Sequence, residues 1–297
     1  MFMVNVLHLG LSYACNMSCK HCFVHKFKDS LQLDDYLRVI DELCFRGLFV
    51  ILYTYGEPLL CPFFADVAKY GKEKGLVQIL MTNGSLIDDE WVREFKVLGI
   101  TTVNISLDSV DPNHHDDSRG FLGSYHLAIN AINKCLSGKI DVGIAHTITQ
   151  DNVLDLFRMY DMAVHLNVKN VSFLRARKNG RLISFSPQEM ETYKSFFLYC
   201  VKNQGSLHTK FHDPTLLHLL NEQYHNGVLS KDDYEKHYYM NICHRNQTLS
   251  ISPDGTVSRC NLFSIPIGKI SHGQGISDIL TQNKKCNENT VCYPPIS

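Results

Sequence analysis

Hydrophobic residues near the start of the chain recur with the period of a strand in some segments and with the period of a helix in others. Residues 4–13 are rich in Val and Leu and alternate as a half-buried strand does. Apolar residues then recur at helical spacing from Leu33 to Cys44, which predicts an amphipathic helix that ends at Gly47. Residues 49–53 form a short apolar run of the kind found in buried parallel strands. The chain therefore opens with a strand, a helix and a second strand.

The same alternation continues for four more strands. These strands are predicted at residues 77–81, 102–107, 142–147 and 170–174, with helices at 62–75, 88–98, 124–136 and 152–165. Six strands that alternate with helices predict an α/β fold whose parallel sheet has right-handed crossovers and is either open or curved into a partial (β/α)6 barrel. In such barrels the functional residues lie at the carboxyl ends of the strands.

The alternation ends after Arg181. The sequence Ser186-Pro187-Gln188-Glu189 is a capping box with proline in the first turn, so a helix is predicted from there to about Cys200. A short helix follows at 214–224, and the turn Pro253-Asp254-Gly255 joins the strands of a predicted hairpin at 248–260. We therefore expect three parts: a core barrel at 1–181, a helical connection at 182–240, and a small carboxyl-terminal domain at 241–297.

Composition and charge exclude several classes of protein. The formal net charge of −1 over 297 residues gives no bulk electrostatic reason to bind nucleic acid or an anionic membrane. No stretch is long and apolar enough to span a bilayer. The first residues lack the charged region and the long apolar run of a signal peptide. A cytoplasmic location is expected.

Three of the 11 cysteines are packed into one loop directly after the first predicted strand, as Cys15, Cys19 and Cys22. In a reducing compartment, metal ligation explains them better than disulfides do. A structural zinc site wants four protein ligands, and no fourth cysteine lies nearby. A 4Fe-4S cluster held by three thiolates keeps one iron open to a non-protein ligand, which suits a catalytic role.

The motif CxxxCxxC followed by Phe23 resembles the signature of the radical S-adenosylmethionine (SAM) superfamily. This resemblance implies a partial (β/α)6 radical SAM barrel in which Cys15, Cys19 and Cys22 hold a 4Fe-4S cluster. It further implies that the open iron chelates SAM and that one electron cleaves SAM to a 5'-deoxyadenosyl radical, which abstracts hydrogen from the substrate. A flavodoxin- or ferredoxin-type reductant is then an expected partner.

The resemblance also assigns residues that would bind SAM. Gly56 and Glu57 stand in the family's GGE motif, with Tyr55 in place of its first glycine, and their backbone would accept hydrogen bonds from the SAM ammonium. Ser106 and Asp108 stand where the family binds the ribose and the methionyl part.

Three further residues complete the expected SAM site. Arg119 would pair with the SAM carboxylate, which an arginine can bind through two parallel hydrogen bonds. His21 and Leu174 would flank the adenine. Each of these two has an ordinary alternative, since His21 could be a solvated loop residue and Leu174 a core residue.

Other potential ligands are assigned no functional role. The pair His114-His115 is predicted to lie on an exposed loop beside Asp116 and Asp117. Four cysteines outside the motif are predicted to be small core residues: Cys44, Cys61, Cys135 and Cys200.

A second group of cysteines near the end resembles the twitch domain, a shortened relative of the SPASM domain. It consists of Cys243, Cys260, Cys286 and Cys292. The resemblance implies a twitch-type iron-sulfur domain with an auxiliary 4Fe-4S cluster, and the alternative is a four-thiolate zinc site. The assignment of Cys286 is the least secure of the four, and a substrate or water could replace it. Any spare thiol of the four is the candidate hydrogen donor of an epimerase.

The resemblance leaves two substrate classes open. Residues 174–181 and the overall layout resemble enzymes that mature ribosomally synthesised peptides by crosslinking, epimerisation or excision. The short architecture and residues 55–61 resemble epimerases and dehydrogenases that act on a sugar, aminocyclitol or aminoglycoside in antibiotic biosynthesis. A third hypothesis is an iron-sulfur or zinc protein without catalysis.

The amino-terminal end bears on the expected partners. Only 14 residues precede Cys15, which leaves no room for the leader-binding domain that many peptide maturases carry there. A separate leader-peptide-binding protein is therefore an expected partner of the peptide-maturing alternative.

Overall fold

The six predicted strands form neighbouring parallel strands of one sheet, in chain order. They are β1 (Val6–Gly10), β2 (Val50–Thr54), β3 (Val77–Thr82), β4 (Ile100–Ser106), β5 (Asp141–Ile148) and β6 (Asn170–Arg175). The helices of this region are α1 (Leu33–Cys44), α2 (Phe64–Glu73), α3 (Asp89–Leu98), α4 (Pro112–Arg119), α5 (Ser124–Ser137) and α6 (Leu156–His165). The computed structural model describes residues 3–22, 24, 31–178, 181–203, 205, 207–213, 215–241, 247–259 and 266–282.

Beyond β6 the chain adds strands to both edges of the sheet. The later elements are β7 (Arg177–Lys178), β8 (Arg181–Leu182), α7 (Pro187–Lys202), β9 (His208–Phe211), α8 (Thr215–His225), α9 (Lys231–Asn241), β10 (Thr248–Ile251), β11 (Thr256–Ser258), β12 (Pro266–Lys269) and α10 (Ser277–Gln282). The predicted hairpin is confirmed as β10 and β11, and β10 pairs in parallel with β1. At the other edge β9 pairs in parallel with β6, so the parallel sheet extends beyond Arg181. The division into three parts remains a prediction.

Local sequence signals explain where several helices begin and end. The Asp88 side chain accepts a hydrogen bond from the Trp91 backbone N–H at the start of α3, and Gly99 ends that helix with a φ of 74°. At the start of α7, both reciprocal hydrogen bonds of the predicted capping box join Ser186 and Glu189.

Successive side chains of a strand point alternately to the face of the sheet that packs against the helices and to the opposite face. On β1, Leu7 and Leu9 are fully buried, while His8 between them is only half-buried. Lys210 on β9 lowers the pKa of His8, although five strands separate β1 from β9 in the sheet. These two side chains are therefore near each other, which requires the sheet to curve toward a barrel. We call the enclosed face the lumen.

Candidate functional site

The cysteine loop (residues 11–22) is held on one side by the backbone at the end of α4. The Ser18 N–H donates to the Arg119 carbonyl at 3.2 Å, and the Lys20 N–H donates to the Ser118 carbonyl at 2.9 Å. Gly120 follows with a φ of 60°, and a Cβ there would lie 2.6 Å from the Ser18 carbonyl oxygen. Only glycine lets the two segments approach this closely.

On its other side the loop contacts the segments that follow β2 and β3. The Glu57 N–H donates to the Ala14 carbonyl at 2.7 Å. Gly56 has a φ of 50°, and a Cβ on it would lie 2.4 Å from the same carbonyl oxygen. The Asn16 carboxamide accepts from Asn83 at 2.9 Å. Asn16 therefore joins the loop to β3, a role that its place inside the cysteine motif did not indicate.

Two of the three thiols of the loop, those of Cys15 and Cys19, interact with Arg119. Cys15 and Cys19 are half-buried, and Cys22 is exposed. The Arg119 Nη1 donates to the Cys19 Sγ at 3.7 Å, and its charge also interacts with Cys15. Burial raises the pKa of the Cys19 thiol, and Arg119 opposes this rise.

These residues fit a three-thiolate cluster that binds a carboxylate-bearing ligand. Arg119 Nε is buried and lacks a hydrogen-bond partner among the described residues, so this donor is available beside the thiols. No group of three metal-ligating side chains is already assembled in the part of the chain that the structure describes. Cys15, Cys19 and Cys22 are the residues of this loop that would hold such a cluster.

Asp108, at the carboxyl end of β4, anchors Arg119. Its Oδ2 lies 2.7 Å from Arg119 Nη2, and both side chains are buried. Its Oδ1 accepts from the Thr147 N–H at 2.8 Å. Burial alone would raise the pKa of Asp108, but Arg119, two histidines and Thr147 lower it to about 2. The carboxylate is therefore ionised and holds the guanidinium in place.

His21 joins the same group, because its Nε2 lies 3.6 Å from Asp108 Oδ2 and its side chain is only 11% exposed. The prediction that His21 could be a solvated loop residue is wrong. Its Nδ1 lies 3.3 Å from the Ser118 hydroxyl. Burial lowers the pKa of His21, and Asp108 opposes that shift.

The prediction of an exposed loop around His114-His115 is also wrong. Both residues lie in α4, and His115 is only 1% exposed. Its Nδ1 accepts a hydrogen bond from the Asp108 N–H at 3.1 Å, and burial lowers its pKa to about 4. The overlooked signal was Asp111-Pro112, since Asp111 caps α4 and proline occupies its first turn.

Glu57 is fully buried and ties β2 to β3. Its carboxyl group accepts hydrogen bonds from the Leu59 N–H, the Thr82 hydroxyl and the Asn83 N–H, at 3.3, 2.8 and 2.8 Å. Burial raises its pKa to about 7, against the effect of these donors. The Glu57 side chain therefore fixes the segment that follows β2, while the Glu57 backbone contacts the cysteine loop.

Tyr55 departs from the expected motif at a position that favours glycine. Its φ is 63°, in the left-handed region that costs a non-glycine residue about 1 kcal/mol. Its hydroxyl lies 3.2 Å from the Ser250 hydroxyl on β10, and its ring packs edge-on against Tyr13. These contacts hold the tyrosine in its strained conformation.

The remaining predicted residues fall into three groups. Ser106 ends β4 and Leu174 lies on β6, and both are half-buried. Cys61, Cys135 and Cys200 are buried, as predicted, whereas Cys44 is half-buried on α1. Four expected ligands lie outside the described residues: Cys243, Cys260, Cys286 and Cys292. Among the described helices, none has both the length and the apolar character of a membrane span.

Comparison with known proteins gives two similar sequences and a similar structure. Fe-coproporphyrin III synthase of Methanosarcina barkeri is 31% identical over 176 residues, which cover 58% of this chain and 44% of that protein. The antilisterial bacteriocin subtilosin biosynthesis protein AlbA of Bacillus subtilis is 24% identical over 270 residues, covering 88% of this chain and 56% of AlbA. SuiB of Streptococcus suis, solved with its precursor peptide SuiA, has the same fold, with a TM-score of 0.67 at 15% identity over 91% of this chain and 63% of SuiB.

The chain spans about half the length of the curated relatives that it matches. The family model of the radical SAM superfamily matches residues 10–163, which include the cysteine loop, Arg119 and strands β2 to β5. That match covers just over half of the 297 residues. The protein therefore belongs to the radical SAM superfamily.

Proposed function

We propose that this radical SAM enzyme matures a ribosomally synthesised peptide, by crosslinking, epimerisation or excision. The observation that carries the peptide assignment is the similarity to AlbA, a bacteriocin biosynthesis protein, which extends over 88% of this chain. The match to Fe-coproporphyrin III synthase covers 58%. The structure of SuiB with a precursor peptide gives a further example of this fold around a peptide.

The cofactor site follows from the contacts around Arg119. Cys15, Cys19 and Cys22 would hold the 4Fe-4S cluster, and Arg119 would bind the SAM carboxylate through its available Nε. When bound, cluster and SAM supply the electron transfer and the radical that removes a substrate hydrogen. The backbone of Gly56 and Glu57 would accept from the SAM ammonium.

The protein's own residues position these groups and exclude water. Asp108 holds Arg119 in one orientation, so it acts as a positioning residue. Asp108 was expected to contact SAM, and its burial at 1% exposure supports the positioning role instead. Ser106 would contact the ribose, and His21 and Leu174 would flank the adenine.

The auxiliary centre belongs to the same proposal. Cys243, Cys260, Cys286 and Cys292 would hold a second 4Fe-4S cluster that accepts an electron, orients the peptide or leaves a thiol free to donate hydrogen. A flavodoxin- or ferredoxin-type protein would reduce the first cluster, and a separate protein would bind the leader peptide.

The test begins with the anaerobically reconstituted and reduced protein. It is given SAM with synthetic peptides encoded beside its gene or, separately, with an aminocyclitol, in deuterated water. We expect 5'-deoxyadenosine together with a mass change in a peptide: loss of hydrogen for a crosslink, or gain of solvent deuterium for epimerisation. Absence of 5'-deoxyadenosine contradicts radical chemistry. Its formation with a modified aminocyclitol and unchanged peptides contradicts the peptide assignment alone.

The role of Arg119 has its own test. We expect Arg119→Lys to raise the Kd for SAM on the order of tenfold, because one ammonium group cannot both keep the ion pair with Asp108 and supply the donor that Nε offers. Arg158→Lys, at an arginine that is 66% exposed, is the matched control and should leave the Kd unchanged. Iron content verifies that both variants carry the cluster. Equal SAM affinity in the two variants would remove Arg119 from the SAM site.

A further inference from the structure

Strand β9 brings two basic side chains to the lumen. It pairs in parallel with β6, with Lys210 in register with Ser172. Thr209 and Phe211 are each only 1% exposed on the helix-facing side, and Phe211 packs against Phe197 of α7. Because side chains alternate along a strand, Lys210 lies on the lumen side. His212 follows the strand in the same alternation, and its N–H donates to the Phe173 carbonyl at 3.0 Å.

His8 on β1 approaches these groups from the opposite side of the lumen. It shares the lumen face with its register neighbours Leu52 and Ser250. Burial and the charge of Lys210 together lower the pKa of His8 to about 4. Burial, with the charges of Lys210, His8 and Arg177, lowers the pKa of His212 to about 3. These basic groups are therefore near enough to one another to repel when charged.

Lys210 is an exposed residue, yet protein lies on several sides of it. The surrounding protein lowers the pKa of its ammonium group. A group that is surrounded by protein and still reachable lies in a concave part of the surface. Concave sites with a few convergent polar groups are the usual places where ligands bind.

Lys210 differs from two buried arginines of the barrel. Arg119 lies 2.7 Å from Asp108, and Arg175 lies 3.0 Å from Asp213, so each has a carboxylate partner within the protein. Lys210, in contrast, makes no ion pair with a carboxylate among the described residues, and burial is the cause of its shifted pKa. An anionic group of a ligand that reaches Lys210 therefore meets no protein carboxylate paired with it among the described residues.

We propose that Lys210 on β9 and His212 directly after it, together with His8 on β1, form a subsite in the lumen that binds an anionic group of the substrate. The shared chemistry is a carboxylate or a phosphate. A carboxylate would come from an acidic side chain or the carboxyl terminus of a peptide, and a phosphate from a small-molecule substrate. This inference rests on the proposed function, because it concerns the substrate of the same site.

The test uses the reconstituted, SAM-bound protein and two pairs of probes. Anaerobic titration calorimetry compares N-acetyl-glutamate amide with N-acetyl-glutamine amide, and glucose 6-phosphate with glucose. We expect one anionic probe to bind about tenfold more tightly than its neutral analogue, as one added charged contact gives. Preference for the glutamate probe indicates a carboxylate substrate, and preference for glucose 6-phosphate indicates a phosphate.

Two variants assign the effect to the subsite. Lys210→Met keeps the length of the side chain and removes its charge, and His212→Gln is the second variant in case the first does not fold. Either should abolish the preference for the anionic probe. Lys169→Met, at a lysine that is 56% exposed, should keep it. Equal binding of charged and neutral probes, no saturable binding of either anion, or a preference that survives both variants would overturn the proposal.

The same preparations separate the two proposals. Formation of 5'-deoxyadenosine by the wild-type protein tests the radical chemistry without any anionic probe. If it forms while no anion binds, the subsite is wrong and the proposed function stands. If no 5'-deoxyadenosine forms while an anion binds through Lys210, the subsite stands without that function.

Discussion

At the scale of single residues, the buried charges around Asp108 determine the geometry of the candidate cofactor site. Asp108 binds Arg119 through its side chain, and its backbone N–H donates to His115. His21 completes the group at 3.6 Å from the carboxylate. Burial favours the neutral forms of these histidines. The stability of the folded site therefore depends on pH, which the sequence did not reveal.

The shifted pKa of His115 determines in which direction the stability changes with pH. Burial lowers its pKa in the folded protein to about 4, below the value of about 6.5 for an unfolded chain. The unfolded state therefore binds a proton first as the pH falls, so the stability that His115 contributes is fully present above about 6.5 and is lost as the pH drops toward 4. We expect urea unfolding to show stability falling across this range.

The variant His115→Asn tests the assignment. Its amide oxygen can accept from the Asp108 N–H but does not titrate. The slope of stability against pH between about 6.5 and 4 should therefore be smaller than in the wild type. Asn113→Gln, at an exposed residue of the same helix that does not titrate, is the control and should leave the slope unchanged. Identical slopes in the wild type and both variants would show that His115 does not supply this dependence.

At the scale of elements, the cysteine loop is shaped by backbone contacts with its neighbours. The end of α4 binds it through Ser18 and Lys20, and the segment after β2 binds it at Ala14. Glycines at 56 and 120 let these backbones approach. The thiols thus depend on segments that are distant in sequence.

Alanine variants of two glycines can measure how much this close approach contributes to stability and to iron binding. Gly120 and Gly123 both have left-handed backbones, with φ of 60° and 86°. A Cβ on Gly120 would lie 2.6 Å from the Ser18 carbonyl oxygen, whereas one on Gly123 would meet nothing within 4 Å. We expect Gly123→Ala to cost about 1 kcal/mol of stability. Gly120→Ala should cost more and also lower the iron bound after reconstitution. Equal iron content in the two variants would contradict this.

At the scale of the whole molecule, the curvature of the sheet decides which residues meet. It brings β1 and β9 to face each other, although their residues lie about two hundred positions apart. An aromatic cluster around Phe211 fixes β9 against β6 and α7, because its ring stacks on Phe173 at 5.1 Å and packs edge-on to Phe197 at 5.0 Å.

Truncating the centre of this cluster should loosen the edge of the barrel. Phe211→Ala removes a fully buried ring and should cost about 3–5 kcal/mol. Phe45→Ala, at a ring that is 84% exposed, should change stability by less than about 0.5 kcal/mol. Urea unfolding measures both, and hydrogen exchange of the β9 amides should accelerate in Phe211→Ala alone. Unchanged exchange would mean that β9 is held by its backbone pairing.

The sequence by itself determined the six parallel strands, most of the helices and the cysteine loop. Hydrophobic period, capping residues such as Asp88 and Ser186, and the spacing of Cys15, Cys19 and Cys22 are local signals, and local signals can be read along one chain. The radical SAM family followed from the same loop.

Only the tertiary structure decided which of these residues share a site. In the tertiary structure His115 is buried against Asp108, Glu57 links the segment after β2 to β3 by hydrogen bonds, and β9 pairs with β6. Each of these outcomes depends on contacts between segments far apart in the chain, and β9 is a short strand whose partner lies beyond a helix of 16 residues. Burial and charge pairing arise from such contacts, so no local pattern could have fixed them.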